Sequence, residues 1–550
     1  MWNFKYYIII ILVFITTVCL GQNIEEKINT INTDIAVVNT TSRNFKQSLD
    51  LVNEDGDAVL NVNYIDKKGK GINNQYQFNF RDLDIEKMVT HMDGEEVGIK
   101  LQVIGLNQFV KVSVDNAFLK YDDRIDLKVN DMIKGKSVLA HFISLVDFYQ
   151  KNEPKNAVPH DFEGIAKWIE LNVKGYSVAK GTVEQSAIFD EKYKYIIRFF
   201  EKMATSKGQS ISEFRWNLVD VDPGNIVTRV KNDLFNIELP IRNNDKFISY
   251  KQNGDSRNTV NRVVIVSDNL TLTKQIVIAF TNITKLAPGL FAKNNSAVDQ
   301  FSSAINFIEN ELDSKKIDNC IYQINSKGAK GEAIIYEFNF ADLDTSSIEL
   351  VSSGTSFNLQ AKVMDKQKFI SVTSPSSGRK FDIDFVMNSE ELEKLRLLPK
   401  VFKVSSTYCK VNNKLEMPTG DNRSKTSWLN QQVSSIPKEK GSYKQSFVLL
   451  DNDPCKIVLE VNDEESGKKK SISSDLRLHL FDPELSQIKI NSKSATVQLV
   501  TKNKEKLIGV SVDEKSKTFI NTVDIQTDNI QKSKLVFEIF NQMIKSCTNK

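Results

Sequence analysis

Tyr76 to Asp84 reads YQFNFRDLD, Phe214 to Asp222 reads FRWNLVDVD, Tyr336 to Asp344 reads YEFNFADLD, and Leu476 to Glu484 reads LRLHLFDPE. Each stretch alternates apolar and polar side chains and runs into an aspartate, the pattern of a half-buried strand that ends in a turn. The signature aspartates are Asp82, Asp220, Asp342 and Asp482. Their surroundings keep register, which chance likeness between strands does not explain. Six residues on stand Met88, Ile226, Ile348 and Ile488. Phe109-Val110, Phe247-Ile248 and Phe369-Ile370 lie 27 residues beyond the first three aspartates, and Leu507-Ile508 lies 25 beyond the fourth. Helix starts follow at Asp131, Asp268, Ser389 and Asp528. Upstream, the serines of Gln47-Ser48, Gln185-Ser186 and Gln445-Ser446 precede their aspartates by 34, 34 and 36 residues. Trp168 and Trp428 each precede that serine by 18.

The repeat is therefore a domain rather than a solenoid unit that needs neighbours to complete its core. The expected boundaries are 22–154, 155–292, 293–417 and 418–550, after a leader at 1–21. Copy three is the short one: Phe307, matched to Trp168, stands 35 residues from its aspartate where Trp168 stands 52 from Asp220, so a strand should be missing.

Within copy one, alternation predicts strands at about 45–51, 58–66, 75–82, 97–103, 108–114 and 124–130, with one more near Met88. The period then changes, and Val138, Leu139, Phe142, Leu145, Val146 and Tyr149 fall on one helical stripe. A shorter leader helix precedes each set of strands, clearest at 161–173 and 424–434. The expected class is α+β and β-rich: four tandem copies, each a six- to seven-stranded antiparallel sheet or barrel closed by a C-terminal helix. In element order alone this resembles a pleckstrin-homology barrel; no sequence motif of that family is matched.

Composition bounds the function. With 550 residues, 73 Lys+Arg against 70 Asp+Glu and a net charge of +3, bulk charge gives no reason to expect a nucleic-acid partner. Lys5 precedes an apolar run from Tyr6 to Val18, followed by Cys19, Leu20, Gly21 and Gln22. A short charged start, an apolar stretch of roughly 13 residues and a small residue before the cut make a secretory signal. Cleavage after Gly21 is expected, giving a secreted or periplasmic protein that does not span a membrane. A lipoprotein modified at Cys19, opposed by the bulk of Val18, and a leader retained as an anchor are the competing readings.

Four cysteines remain: Cys320, Cys409, Cys455 and Cys547. Export permits disulfides, and four cysteines allow three pairings. The repeat selects one. Cys320 and Cys455 open the second strand of their copies, while Cys409 and Cys547 follow on the closing helix, so Cys320 should join Cys409 and Cys455 should join Cys547. Copies one and two, with Ala58 and a tyrosine or lysine near 193 taken as the matching strand positions, have no cysteine.

No residue set reads as catalytic. The DLD and DVD triplets could offer oxygen ligands to calcium, but no glycine or third carboxylate follows at loop spacing, and a turn cap is the stronger reading. His91, His141, His160 and His479 are scattered without metal-ligand spacing, and no HExxH, GxSxG, Walker or GxGxxG context occurs. Trp168, Trp216 and Trp428 fit packing positions, and Lys468 to Lys470 and Lys502 to Lys506 fit hairpin tips. No catalytic, cofactor or metal residue is expected. The favoured function is an exported, non-enzymatic binding or structural envelope protein whose partner is an extracytoplasmic protein, glycan or lipid. A carrier of apolar ligands in barrel cavities is the alternative, and an exported hydrolase comes third.

Overall fold

A computed structural model describes residues 24–548 except 41–42, 66–68, 95, 153–157, 179–180, 206–207, 296–297, 329–330, 413–416, 439–440, 451, 466–467, 492–494, 514 and 516–517. The leader at 1–21 lies outside the described residues. The chain divides into two compact units, Met1–Asn294 with Ser352–Thr355, and Asn295–Val351 with Ser356–Lys550. The first holds copies one and two, the second copies three and four apart from that short segment.

Copy one opens with helix α1 (24–35), whose Ile28, Ile31 and Ile35 are buried. Nine strands follow: β1 Val37–Asn39, β2 Asn44–Leu51, β3 Asp57–Ile65, β4 Gly71–Asn79, β5 Val89–Asp93, β6 Glu96–Gln102, β7 Val110–Val114, β8 Ala117–Asp122 and β9 Arg124–Val129. They form an antiparallel six-stranded sheet in the order β1-β2-β3-β4-β7-β8 and a three-stranded sheet in the order β5-β6-β9. The β5–β6 hairpin thus leaves the first sheet between β4 and β7. Sheet groups of six and three strands recur in copies two and four, and copy three has five and three. The missing strand is the counterpart of β1: the leader helix Phe301–Glu311 runs almost directly into Ser314–Asp318.

Helix α2 (Met132–Lys151) closes copy one. The Asp131 carboxylate accepts the Lys134 amide and so caps its first turn. Val138, Phe142, Leu145, Val146 and Tyr149 are buried, and Tyr149 stacks on Phe80 at 5.5 Å. The expected stripe is therefore the buried face, with Leu139 partly buried at its edge. In copies two and four the capping residue is Asn269 or Asn529, one position later than expected, because each accepts the amide three residues on. Two strands were not legible in the alternation. All of β8 is exposed or half-buried, so it has no period to read, and β1 has only three residues.

The upstream glutamine joins the two sheets. Gln47, buried on β2, donates to the carbonyls of Ile35 at the end of α1 and of Lys128 on β9, and accepts the Lys128 amide. Gln445 donates to Val433 and Gln526 in the same way, and Gln185 accepts the Val266 amide, each reaching 81 residues along the chain. A side-chain amide stands here in place of a backbone ladder, satisfying groups that would be costly to bury alone.

The cysteines pair as expected. The sulfurs of Cys320 and Cys409, and of Cys455 and Cys547, lie at bonding distance, with Cα separations of 5.8 and 5.7 Å. Strand register corrects which residues stand at this place elsewhere. Lys456 faces Arg477 as Asp57 faces Asn79 and Ile196 faces Asn217, so Cys455 matches Gly56 and Tyr195, not Ala58 or the residues near 193. Counting from the helix caps, Cys547 matches Tyr149 and Ala287. Copy one thus sets glycine against tyrosine, and a Cβ added at Gly56 would come within 2.7 Å of the Tyr149 ring. Copy two reverses the volumes, with buried Tyr195 immediately before the strand Ile196–Thr205 and buried Ala287 on the helix.

Candidate functional site

The signature stretch builds the most distinctive polar site of the chain. Each begins as the long central strand of a sheet, breaks into a single 3-10 turn, and passes through one bridging residue: Leu83 to Val103, Val221 to Ile241, Leu343 to Val363. In copies one to three an asparagine side chain at the strand's end accepts the amide two residues on, Asn79 from Arg81, Asn217 from Val219 and Asn339 from Ala341, and so starts the turn.

In copy four the bridging residue is Phe481, paired with Thr501. That register corrects the alignment by two residues. Asp482 stands where Asp84, Asp222 and Asp344 stand, and Leu480 occupies the place of Asp82, Asp220 and Asp342. The offset also removes the two-residue discrepancies at Ser446 and Leu507. The turn-capping role belongs to this second aspartate: Asp84, Asp222, Asp344 and Asp482 accept the amides of Glu86, Gly224, Ser346 and Glu484 at 2.9–3.1 Å. Hydrogen bonds from Ser346 hold the Asp344 carboxyl below its usual range.

Two of the first aspartates do something else. Asp82 forms a 2.5 Å ion pair with Lys274, which lies on the closing helix of copy two, Leu270–Asn295. Asp342 pairs with Lys534 on the closing helix of copy four, Ile530–Thr548, across the same 192-residue separation. Both pairs are largely out of solvent, with side-chain exposures of 14% and 20% in the first and 11% and 15% in the second. Each lysine also lies over an aromatic ring, Lys274 5.6 Å from the centre of Phe109 and Lys534 4.4 Å from that of Phe369. Burial pushes the Asp82 and Asp342 carboxyls up, and the facing lysines pull against that rise. Asp220 sits half-buried at the equivalent place in copy two.

Around the Asp82 pair, copy one also docks its 107–109 segment against copy two. The Asn107 side chain accepts the Thr228 amide at 2.6 Å, Gln108 accepts the Val230 amide at 2.6 Å, and the Gln108 amide donates to the Thr228 carbonyl. Tyr121 meets Phe235 edge to face at 4.8 Å. The buried apolar side chains of copies one and two form one continuous core, from Ile28 to Ala287.

The aromatic candidates occupy packing positions. Trp168, Phe307 and Trp428 each stand six residues into their leader helices, and Trp216 is buried in its strand. Lys468 to Lys470 open a hairpin strand, and Lys502 to Lys504 form a 3-10 turn. Among the described residues no group of three His, Cys, Asp or Glu side chains could hold a metal ion. A cavity of about 170 Å³ in the second unit is lined by Ile317, Ile321, Phe338, Phe369, Arg379 and Ile530 among others. Among the described residues one helix, Leu270–Lys293, is apolar and long enough to cross a membrane by length and composition; 39% of its most apolar 18-residue stretch is buried, and its Ile276, Ala279, Phe280, Ile283 and Ala287 belong to the core.

No protein-family model matches the chain, and no curated protein matches it. Among solved structures it aligns with a xylan beta-1,4-xylosidase from Bacillus halodurans C-125 at 6% identity over 90% of this chain and 94% of that one. The TM-score of that alignment is 0.09, too low to bear on fold or activity.

Proposed function

We propose that the chain is an exported, non-enzymatic protein of four divergent copies that serves in binding or as a structural element of the cell envelope, its partner an extracytoplasmic protein, glycan or lipid. One observation carries this reading: the polar side chains that recur between copies are spent on holding the fold. The glutamines join sheets, the second aspartates cap turns, the first aspartates Asp82 and Asp342 take lysines from the next copy, and the cysteines pair within copies three and four. What differs between copies is their surfaces, and repetition multiplies surfaces and can raise avidity. The two cysteine pairs are compatible with an oxidising compartment and support export.

The finer reading of each copy is a barrel closed by its C-terminal helix, the glutamine bridging the two sheets at one seam. The alternative is a carrier of apolar ligands; drug-sized ligand sites run about 300–1,000 Å³, the cavity beside Phe338 and Phe369 is about 170 Å³, and the opening of about 500 Å³ on the leader helix of copy one is lined by the polar side chains of Glu25, Glu26, Asn29, Thr30, Thr33 and Asp34. The test takes the mature chain purified from the extracytoplasmic fraction and offers it isolated cell envelopes beside a panel of chromogenic glycosides, esters and peptides. Retention on envelopes without turnover is expected. Multiple turnover of any substrate, abolished by a single side-chain substitution, overturns the reading.

A further inference from the structure

Copy two meets copy one through a defined surface: the strand Val227–Lys231, which is the edge of its three-stranded sheet, and Lys274 on the helix beside it. Copy one carries the same surface on β5 and α2. Strand register places Val89, Thr90 and Met92 at the positions of Val227, Thr228 and Val230. Counting from the caps Asp131 and Asn269, Lys136 stands at the position of Lys274. On copy two this surface is covered, and Thr228 is fully buried. On copy one no described residue covers it: β5 is a sheet edge, Val89 is 45% exposed, Met92 56% and the adjacent Ile133 83%, and Lys136 is exposed. An open strand edge with apolar side chains and one cation beside it is a template for strand addition.

We propose that β5 and the first turns of α2 form a docking surface for another polypeptide that presents a carboxylate and an apolar ring or branched side chain from a strand end, as Asp82 and Phe109 present themselves to Lys274. The proposal deepens the binding reading by naming the partner's chemistry, and its geometry stands without the export assignment. A second copy of this chain in its natural form does not fit that chemistry. The tail of copy four keeps the apolar part, Leu507 and Phe519 standing at the places of Phe109 and Tyr121, both exposed, but has Leu480 where the carboxylate belongs. Lys136 would there face a leucine, and an unpaired buried ammonium is costly.

That difference supplies the probe. In the full mature chain, Leu480→Asp gives copy four a complete tail, so one molecule should dock on copy one of the next. Sedimentation over a concentration series should show the variant associating at least about tenfold more tightly than the natural chain, and adding Ile133→Asp or Lys136→Glu should return it to monomer. Leu480→Glu, with the same charge on a longer stem, serves if Leu480→Asp unfolds copy four, and thermal melts report which chains are folded. Folded variants that sediment like the natural chain overturn the proposal. Association of the natural chain that is lost with Ile133→Asp overturns it too, since docking would then need no carboxylate.

Discussion

Asp82 shows how far a single residue can be read. Its recurrence marks it, and its place at the end of an alternating strand assigns it to a turn; yet the turn is capped by its neighbour Asp84, and Asp82 reaches Lys274 in another copy. No local pattern announces that lysine, because the pairing depends on how two domains dock. The same blindness caused the two-residue slip at Asp482, where Leu480 has replaced the clamp residue and left the capping aspartate as the only acidic landmark. Lys274→Ala leaves a buried carboxylate without its cation and should cost the first unit about 3–5 kcal/mol at neutral pH, read by denaturant unfolding; a loss under about 1 kcal/mol would mean that the pair is effectively solvent-screened. The pH dependence has a definite sign. Burial raises the Asp82 carboxyl above its ordinary value, so the folded unit holds that proton more tightly than the unfolded chain. Its contribution is whole below the ordinary carboxylate range and is lost as pH rises through the raised value. The natural chain should therefore gain on Asp82→Asn as pH is lowered across that window, measured as the difference between their melting curves. A lead over Asp82→Asn that widens on raising the pH would contradict this.

Among the elements, those with a buried face were legible. β2, β3 and β9 alternate because one side packs on the core, and α2 shows its stripe for the same reason. The exposed edge strand β8 carried no such signal. Phe142→Asp should unfold copy one by placing a charge at a fully buried position, while exposed Ala140 should accept aspartate. Ser144 is a poorer control because its hydroxyl accepts the Lys27 ammonium of α1 at 2.7 Å. Equal losses at Phe142 and Ala140 in urea titrations would take α2 out of the core. The strand-to-helix contact at each copy's end has three solutions: glycine with tyrosine, tyrosine with alanine, and two cystines. If they are solutions to one geometry, Tyr195→Cys together with Ala287→Cys should close a disulfide in copy two on mild oxidation, visible as a loss of two thiols and a linked peptide. Two thiols that stay free under conditions that oxidise the natural pairs would show that copy two places these elements differently.

At the scale of the molecule, the sequence disclosed four copies but not their division into two compact units. Copies one and two share one core, so a cut near residue 155 should expose apolar surface and unfold both halves, and the first unit should melt in a single transition. Copy four has a core of its own, from Leu429 to Cys547, and residues 418–550 expressed alone should melt cooperatively. A broad, non-cooperative melt of that fragment would deny it an independent fold. The repeat, its register and the proposed export all converge on the cysteines. The most direct measurement is a non-reducing peptide map of the protein recovered, with thiols blocked, from the cells that make it and from their medium. Peptides linking Cys320 to Cys409 and Cys455 to Cys547 are the expected result; four free thiols would contradict the proposed export, and a peptide linking Cys320 to Cys455 would contradict the matching of copies three and four.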